Sequence, residues 1–441
     1  MFTLCSLRAD RVGCLGSSRG LTPNIDRFAQ GGTAFTRAYA QGMWTRPSHY
    51  AIFIGRYPFS TVDSHVLPED ETLAEILTRN GYETAAFVRH GNVSKDFGFE
   101  RGFTCFDEGN SLSGTVSQVL GWLDGPRDHE RPFFVFSMNE DAHPPHFGLP
   151  CPSQERNDPD VTTTHRLMSD PRFQTRILDG FMYPDEGFQR HIATRVERAA
   201  LAADPRSLGG TPVPEGVKTH LVAHYDASIR HVDEVFGQLV AGLEQRGLLD
   251  STVVIMLSDH GWDLFERGLF GHSHHGFDPI AHVALVMRGP GVKAGLRLER
   301  PVALMDVAPT IVSLAGCPPS TRHQGFDLLG DTAPSPRPVF SMGRSLGFAR
   351  NFFTHVRMGR YELERTDNDP DPRIYDLESP DGDARPVQLA ADSKDLAALL
   401  AAYAHEQALL PARAKLFPAP PVPPSGISTQ TREYLQKNGY W

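Results

Sequence analysis

The sequence has few cysteines and no closely spaced pair of them. Its five cysteines, Cys5, Cys14, Cys105, Cys151 and Cys317, are odd in number and include no CxxC motif. This excludes the disulfide framework of a small secreted domain, so we expect a reduced, cytoplasmic protein. Apolar runs of membrane-spanning length and the pattern of a signal peptide are also lacking, and no membrane partner is expected.

Positive charge is also scarce. The 43 Lys and Arg residues are outnumbered by 53 Asp and Glu residues, which gives a net charge of -10. Broad nucleic-acid binding needs a basic face, so no nucleic-acid partner is expected. An anionic substrate would have to be attracted by local positive charge in a pocket. The sequence does not indicate the oligomeric state.

Apolar segments of strand type and helix type alternate along the chain. Residues 84–88, 132–138 and 252–257 are continuous apolar runs, typical of strands buried on both faces. Helices with an apolar stripe are predicted at 71–80 and 218–245. This alternation predicts an α/β sandwich with a large, mostly parallel sheet between helices. Polar residues follow the carboxyl ends of the strands, where open α/β sheets place their sites.

Two regions depart from this alternation. Residues 147–217 are rich in Pro, Asp, Arg and Thr, which indicates an insertion or lid within a catalytic core that spans 1–336. Residues 337–441 are predicted to form a small C-terminal α+β subdomain. It would contain a hairpin over 353–363, a helix over 393–409 and a proline-rich tail lying as a strap over the core.

A hydroxyl group stands just ahead of an apolar helical segment in residues 44–58, WTRPSHYAIFIGRYP. A nucleophile at Thr45 would lie at a helix N-terminus, where N–H groups and the helix dipole favour an anion. The alternative is an ordinary capped helix, because Thr and Ser are favoured N-caps.

Groups suited to a metal occur in the second half of the chain. Asp259 and His260 follow the strand predicted at 252–257, and such side chains are good ligands for a divalent metal. The alternative is a turn capped by the aspartate. About a dozen residues later His272, His274 and His275 form an imidazole cluster, able to bind metals or donate to an oxyanion. Its alternative is a histidine-rich surface loop.

In their order along the chain, these segments resemble the motifs of the alkaline phosphatase superfamily, in its sulfatase-like branch. The resemblance covers nearly the whole chain except about 147–217. The matching segments are 22–26 (TPNID), 45–58, 81–84 (GYET), 141–143 (DAH), 225–233, 258–261 (SDHG), 288–291 (RGPG), 305–310 (MDVAPT), 375–378 (YDLE) and 434–440.

The resemblance implies a metal-assisted double displacement at sulfur or phosphorus. The catalytic residues it implies are Thr45, His49, His143 and His272. The implied substrate contacts are Arg46, Arg56, Arg89, His90, His274 and His275. The implied metal ligands are Asp259, His260, Thr45 and Cys5. For Arg56, a salt bridge at the end of its helix is an equal alternative, and the resemblance does not decide which histidine of the cluster is aligned with the functional one.

The sequence departs from the sulfatase pattern at the nucleophile. Sulfatases have Cys or Ser there, oxidised to formylglycine, whereas Thr45 is a secondary alcohol that cannot give that aldehyde. Threonine is found instead in the nucleotide pyrophosphatase/phosphodiesterase branch. We therefore expect direct attack by Thr45 and no formylglycine. His49 replaces the arginine that closes the sulfatase motif.

The second departure is Cys5, which stands where the family places a metal-binding aspartate. A thiolate can bind zinc but suits calcium or magnesium poorly, so we expect zinc or manganese. The alternative is that one metal ligand has simply been lost.

These features predict a metal-dependent hydrolase or group transferase that acts on a phosphate- or sulfate-type ester through Thr45. Its substrate would be a small anionic ester, with a second acceptor substrate if the lid excludes water. The competing hypothesis is a catalytically silent sulfatase-like protein that binds an anionic ligand. The loss of the acidic ligand at Cys5 favours it, and the retention of Asp259, His260 and Arg89 opposes it.

Overall fold

The computed structural model describes residues 1–58, 66–89, 91–108, 112–125, 127–140, 142–143, 207–208, 211–212, 215–267, 269–273, 275–330, 336–344, 352–366, 369–379, 382–416 and 429. Across these ranges, no helix is both long enough and apolar enough to cross a membrane. Most of the predicted insertion over 147–217 and of the predicted tail lies outside the described residues.

The strands are short, and most belong to one large sheet or to a second, C-terminal sheet. In chain order they are β1 (Phe2–Leu4), β2 (Thr33–Phe35), β3 (Ala38–Tyr39), β4 (Glu83–Val88), β5 (Cys105–Glu108), β6 (Phe133–Asn139), β7 (Ser207–Leu208), β8 (Thr211–Pro212), β9 (Val254–Leu257), β10 (Asp263–Leu264), β11 (Phe270–Gly271), β12 (His282–Val283), β13 (Leu285–Arg288), β14 (Leu296–Leu298), β15 (Val302–Ala303), β16 (Val339–Arg344), β17 (Phe352–Met358), β18 (Tyr361–Thr366), β19 (Asp369–Asp376) and β20 (Pro386–Val387).

The helices lie between these strands along the chain, with the last one after β20. They are α1 (Pro23–Gln30), α2 (Thr45–Ile54), α3 (Leu73–Arg79), α4 (Leu112–Asp124), α5 (Glu215–Gln245), α6 (Asp278–Ala281), α7 (Val307–Leu314) and α8 (Lys394–Leu416).

The large sheet has eight strands in the order β14-β2-β13-β9-β1-β6-β4-β5. Neighbours from β9 to β5 are all parallel, whereas β13 runs antiparallel to β9 and β2. The predicted α/β fold with a large, mostly parallel sheet is thus confirmed. Because β9, β1, β6 and β4 run in the same direction, the residues that follow them meet at one end of the sheet.

Alternate residues of the central strands face two separate cores. In β9, Val254 and Met256 pack with the side of the sheet that carries α1, α4 and α5, whereas Ile255 and Leu257 face the side that carries α2, α3 and α7. Burial on both faces explains why this strand reads as a continuous apolar run. At the end of β1 the same alternation turns Leu4 to the first core and Cys5 to the second. Cys5 therefore shares a face of the sheet with α2.

The C-terminal region forms an antiparallel sheet in the order β16-β17-β18-β19-β20, and α8 packs against β17 and β18. The predicted hairpin corresponds to β17 and β18. The predicted end of the last helix at residue 409 is wrong, because α8 continues past Pro411 to Leu416. An interior proline removes one main-chain hydrogen bond and crowds the carbonyl four residues earlier, which made a helix end before Pro411 the expected outcome. The domain boundary at 336/337 stays a prediction.

One buried ion pair joins the segment before the C-terminal sheet to the core. Arg337 donates from both terminal nitrogens to Asp306, at 2.5 and 2.8 Å, and both side chains are almost completely buried. Breaking such a pair from one side leaves a buried charge without its partner, which costs about 3–5 kcal/mol. We therefore expect Arg337→Met to lower the free energy of unfolding by about 3 kcal/mol or more, measured by urea titration.

The matched control is Arg360→Met. Arg360 pairs with Asp376 at the surface, where its own side chain is half exposed, so its loss should cost about 1 kcal/mol or less. Equal losses in the two variants would contradict the assigned role of the buried pair.

Candidate active site

Helix α2 begins at Thr45, and its first turn lies at the end of the sheet where β1 and β9 finish. Trp44 is the N-cap residue in extended conformation, and no side chain caps this helix. The Thr45 hydroxyl is thus not a cap. Its Oγ1 lies 3.3 Å from His260 Nε2 and 3.6 Å from Cys5 Sγ. Ser48, one turn further on, donates to the main-chain oxygen of Asp259 at 2.6 Å and ties α2 to the loop after β9.

Parallel pairing brings the other potential ligands to the same place. Thr3 in β1 is in register with Leu257 in β9, so the residues that follow the two strands meet. Cys5 Sγ lies 3.7 Å from His260 Nε2. The ligand atoms of Cys5, Asp259 and His260 all lie within 4.8 Å of one another, and all three side chains are fully buried.

Asp259 has one bound and one open carboxylate oxygen. Oδ1 accepts the N–H groups of Ser6, at 3.1 Å, and of His260, at 2.9 Å. Oδ2 has no hydrogen-bond partner within the described chain and lies 3.6 Å from His260 Nε2. Ser6 adopts a left-handed φ of 65°, which is unusual for serine and occurs at the turn that aims its N–H at Oδ1.

A buried carboxylate oxygen without a partner is costly unless a cation compensates it. Here that oxygen shares a fully buried space with a thiol, an imidazole nitrogen and a hydroxyl. The donor set of Asp259, His260, Thr45 and Cys5 therefore fits the divalent metal that the family resemblance implies.

Hydrogen bonds define the tautomers of two histidines. His260 donates from Nδ1 to the main-chain oxygen of Gly261 at 2.9 Å, which leaves the Nε2 lone pair facing Cys5 and Thr45. His49 donates from Nδ1 to the main-chain oxygen of Thr45 at 2.8 Å, and this Nδ1 lies 3.5 Å from Asp259 Oδ2. Burial lowers the pKa of His49, so its imidazole is neutral at pH 7.

A second pair of imidazoles lies beside this cluster. His143 Nε2 and His272 Nε2 are 3.1 Å apart, and the ring of His272 is 4.6 Å from that of His260 between centroids. Ser273 donates its Oγ–H to the main-chain oxygen of Met43 at 3.4 Å, so Ser273 Oγ accepts from His272 Nδ1 at 2.8 Å. His272 Nε2 is therefore the acceptor and His143 Nε2 the donor in the pair. Both rings contact the edge or face of Trp262 at about 5 Å.

Cys5 has the least polar side chain of the three potential ligands, yet it lies near two carboxylates, those of Asp259 and Glu140. Burial, with the charges of Asp259 and Glu140 adding to it, raises the pKa of the Cys5 thiol well above its usual range. Glu140 follows β6 and is buried. We did not predict a role for it from the sequence, although it belongs to a polar cluster at a strand end.

The predicted substrate contacts fall into three groups. Arg46 is buried next to Thr45, with its guanidinium 3.5 Å from the centroid of Phe97 and hydrogen-bonded to Asn92 at 3.0 Å. Arg89 directly follows β4 at the same end of the sheet and is partly buried. His90 and His274 lie outside the described residues.

Two other predicted contacts form ion pairs with carboxylates. Arg56 lies beyond the far end of α2 and pairs with Asp70 at 3.5 Å, as the salt-bridge alternative expected. His275 pairs with the buried Asp263 at 2.6 Å and accepts the N–H of Phe277. Of the two described histidines of the cluster, His272 is the one whose ring contacts those of His260 and His143.

An ionic cluster of the buried His355, Arg357 and Glu362 with the partly exposed Asp278 binds the main chain just after the histidine segment. Gly276 donates its N–H to His355 Nε2 at 3.1 Å, and its carbonyl accepts from Arg357 at 2.6 Å. Glu362 accepts from His355 at 2.5 Å and pairs with Arg357 at 3.0 Å, and Arg357 reaches Asp278 at 3.2 Å. The C-terminal sheet thereby positions the main chain four residues after His272.

Sequence reasoning missed three groups that complete the site. Ser6 supplies an N–H to Asp259, Ser48 ties α2 to the loop after β9, and Glu140 adds charge near Cys5. A signal was present for Ser48 and Glu140, since each lies in a segment identified as polar at a strand or helix end. Ser6 acts through its main-chain N–H, which almost any residue could supply, so its identity in the sequence does not indicate this role.

Known proteins resemble this chain over most of its length. A model of the sulfatase family matches residues 6–317. Human arylsulfatase K is 24% identical over 354 residues, which are 71% of this chain and 62% of the relative. Rat arylsulfatase K is 36% identical over 347 residues, 71% of this chain and 59% of the relative. The chain thus spans about 60% of the length of these two curated relatives.

Solved structures share the fold at low identity. The phosphonate monoester hydrolase of Agrobacterium radiobacter superposes with a TM-score of 0.64 at 19% identity, covering 93% of this chain and 95% of that one.

The ionic cluster generates a pH-dependent expectation. Burial raises the pKa of Glu362 to about 8, against the opposing charge of Arg357. A carboxyl whose folded pKa is raised contributes stability below its ordinary pKa and loses that contribution as the pH rises through about 8. We expect Glu362→Gln to match the wild type at low pH and to exceed its free energy of unfolding, by about 1 kcal/mol or more, above this pKa.

Urea titrations at pH values below and above the titration of the Glu362 carboxyl test this expectation. Glu378→Gln, at an exposed carboxylate, is the control and should leave the pH dependence unchanged. A Glu362→Gln variant that is less stable than the wild type at high pH would refute the expectation.

Proposed function

Because this chain belongs to the sulfatase family, we propose that it is a metal-dependent hydrolase or group transferase that cleaves a small phosphate- or sulfate-type ester through Thr45. One observation carries the proposal: the Thr45 hydroxyl, at the N-terminus of α2, lies 3.3 Å from His260 Nε2 in the buried donor set with Asp259 and Cys5. A helix N-terminus favours the anion that attack requires and the anion that binds.

The side chain at position 45 determines whether the nucleophile is formylglycine or an unmodified alcohol. Oxidation of a threonine would give a ketone, not the aldehyde of formylglycine, so Oγ1 itself must attack. An alcohol nucleophile suits phosphoryl chemistry, where a second in-line attack by water releases the covalent ester. Solved structures of this fold include a phosphonate monoester hydrolase and a glycosaminoglycan sulfatase at similar TM-scores of 0.64 and 0.67, so our preference for a phosphorus ester rests on the alcohol at position 45 alone.

The proposed reaction balances in two steps. Thr45 Oγ1, as the alkoxide, forms a bond to phosphorus while the bond to the substrate alcohol oxygen breaks. The leaving alkoxide takes a proton from the His143–His272 pair, whose nitrogens are 3.1 Å apart. Water then loses a proton to that pair and bonds to phosphorus as the bond to Thr45 breaks. In a transferase, an alcohol acceptor replaces water.

The metal would be held by Asp259, His260, Thr45 and Cys5. When bound, it lowers the pKa of the Thr45 hydroxyl and offsets the charge of the ester oxygens. We favour zinc or manganese over calcium or magnesium. His49, whose Nδ1–H bonds to the Thr45 carbonyl, orients the first turn of α2.

Arginine side chains would bind the negative charge of the substrate that the metal does not offset. Arg46 is adjacent to the nucleophile and is held between aromatic rings and Asn92, and Arg89 follows a neighbouring parallel strand. We assign both to substrate binding, and His90 and His274 stay predicted contacts. The pairing of Arg56 with Asp70 and of His275 with Asp263 supports structural roles for these two residues.

Substitution of the nucleophile tests the proposal. We expect Thr45→Ala to lower kcat/KM by at least about 1,000-fold on a panel of phosphonate and phosphate esters, because no alcohol remains to attack. Thr45→Ser keeps an alcohol and should retain activity within about tenfold of the wild type. Mass spectrometry of acid-quenched wild-type protein should find the phosphoryl group on Thr45.

The silent anion-binding protein of the competing hypothesis would show no turnover by either the wild type or the Ser variant. Equal turnover by the wild type and Thr45→Ala would reject the assigned nucleophile.

The leaving-group role of the imidazole pair makes a separate prediction. We expect His272→Ala to slow an alkyl ester by at least about 100-fold, and a 4-nitrophenyl ester much less, because a good leaving group needs no proton. His275→Ala is the matched control, since its imidazole pairs with Asp263 and not with His143. A loss with His272→Ala that does not depend on the leaving group would contradict proton donation.

A further inference from the structure

We infer that the metal of this site is zinc and that the Cys5 thiolate is one of its ligands, together with Asp259, His260 and Thr45. The inference rests on the metal site of the proposed function and specifies its ion. Cys5 stands where the family pattern has an aspartate. The location of the ion follows from the family resemblance, whereas its identity as zinc and its thiolate ligand are inferred here.

The spacing of the donor atoms supports a small tetrahedral ion. With zinc bonds of about 2.3 Å to sulfur and about 2.0–2.1 Å to nitrogen and oxygen, tetrahedral ligands lie about 3.5 Å apart when one is sulfur and about 3.3 Å apart otherwise. Cys5 Sγ lies 3.6 Å from Thr45 Oγ1 and 3.7 Å from His260 Nε2. His260 Nε2 lies 3.3 Å from Thr45 Oγ1 and 3.6 Å from Asp259 Oδ2. These four of the six separations in the set lie within about 0.3 Å of the tetrahedral values, and the ligand atoms of Asp259 and Cys5 lie within 4.8 Å of each other.

The donor types point the same way. Calcium takes six to eight oxygen ligands and magnesium an octahedron of oxygens, whereas two of the four atoms here are sulfur and nitrogen. Manganese also prefers carboxylate, carbonyl and water. Thiolate, imidazole and carboxylate are the three protein ligand types of zinc sites.

The surroundings of Cys5 argue against a ligand that has merely been lost. Its sulfur contacts three polar side chains, Ser6 at 3.5 Å as well as Thr45 and His260. The open Asp259 Oδ2 and the Nε2 lone pair of His260 face the same buried space. A site that had given up its ion would keep these polar atoms buried without compensation.

Metal binding can be measured without turnover. The full-length chain is stripped with a chelator and titrated with Co²⁺, which takes zinc sites and reports a bound thiolate by a sulfur-to-cobalt charge-transfer band in the near ultraviolet. We expect this band in the wild type, displacement of Co²⁺ by one equivalent of Zn²⁺, and no comparable binding of Ca²⁺ or Mg²⁺.

Variants identify the sulfur. Cys5→Ser should remove the band and weaken Zn²⁺ binding by at least about 100-fold, on the order of the largest losses caused by altering outer-shell partners of a metal ligand. Cys5→Asp, which keeps a ligand, should remove the band and shift preference toward Mn²⁺ and Mg²⁺. Cys14→Ser and Cys317→Ser are matched controls and should behave as the wild type.

A wild type without the band, or a Cys5→Asp variant that binds Zn²⁺ more tightly than the wild type, would overturn the inference. In either case the loss of turnover in Thr45→Ala remains a separate test of the proposed function. Conversely, a cobalt–thiolate band in a protein whose Thr45→Ala variant is fully active would leave the zinc site standing and reject the nucleophile.

Discussion

The parallel pairing of β1 with β9 is the constraint on which the site depends. The strands run side by side and in register, so Cys5 after one and Asp259 and His260 after the other arrive at the same end of the sheet. The carboxylate of Asp259 then binds the loop after β1 through the Ser6 N–H, and Ser48 of α2 binds the loop after β9. Loss of this register would separate α2 from the loops that follow β1 and β9.

The two departures from the sulfatase pattern, Thr45 and Cys5, are in contact with each other. Their side-chain heteroatoms lie 3.6 Å apart, and each also contacts His260. The proposed nucleophile and a proposed metal ligand, the two positions that depart from the family pattern, thus lie next to each other. An alcohol that cannot become formylglycine, beside a thiol in place of an aspartate, is the physical basis for proposing an active enzyme of altered mechanism.

The C-terminal sheet contributes to the site through the main chain. His355 and Arg357 bind the N–H and C=O of Gly276, and Glu362 bridges those two side chains. His272 lies only four residues upstream, and in the proposed mechanism its imidazole acts together with that of His143. The buried charges of this cluster therefore link a sheet without catalytic groups of its own, among the residues described, to the geometry of the imidazole pair.

Local sequence patterns determined the class of fold, because continuous apolar runs bounded by polar residues identify buried strands wherever they lie. They also located Thr45 at a helix start and Asp259 and His260 after a strand, since both follow from neighbours in the chain. Which charged side chains reach the site was decided only by tertiary structure. Arg56 and His275 have the right chemistry but pair with Asp70 and Asp263, whereas Ser6 contributes a main-chain N–H that residue type does not encode. Distances between segments more than two hundred residues apart depend on strand register and helix packing, and no local pattern records them.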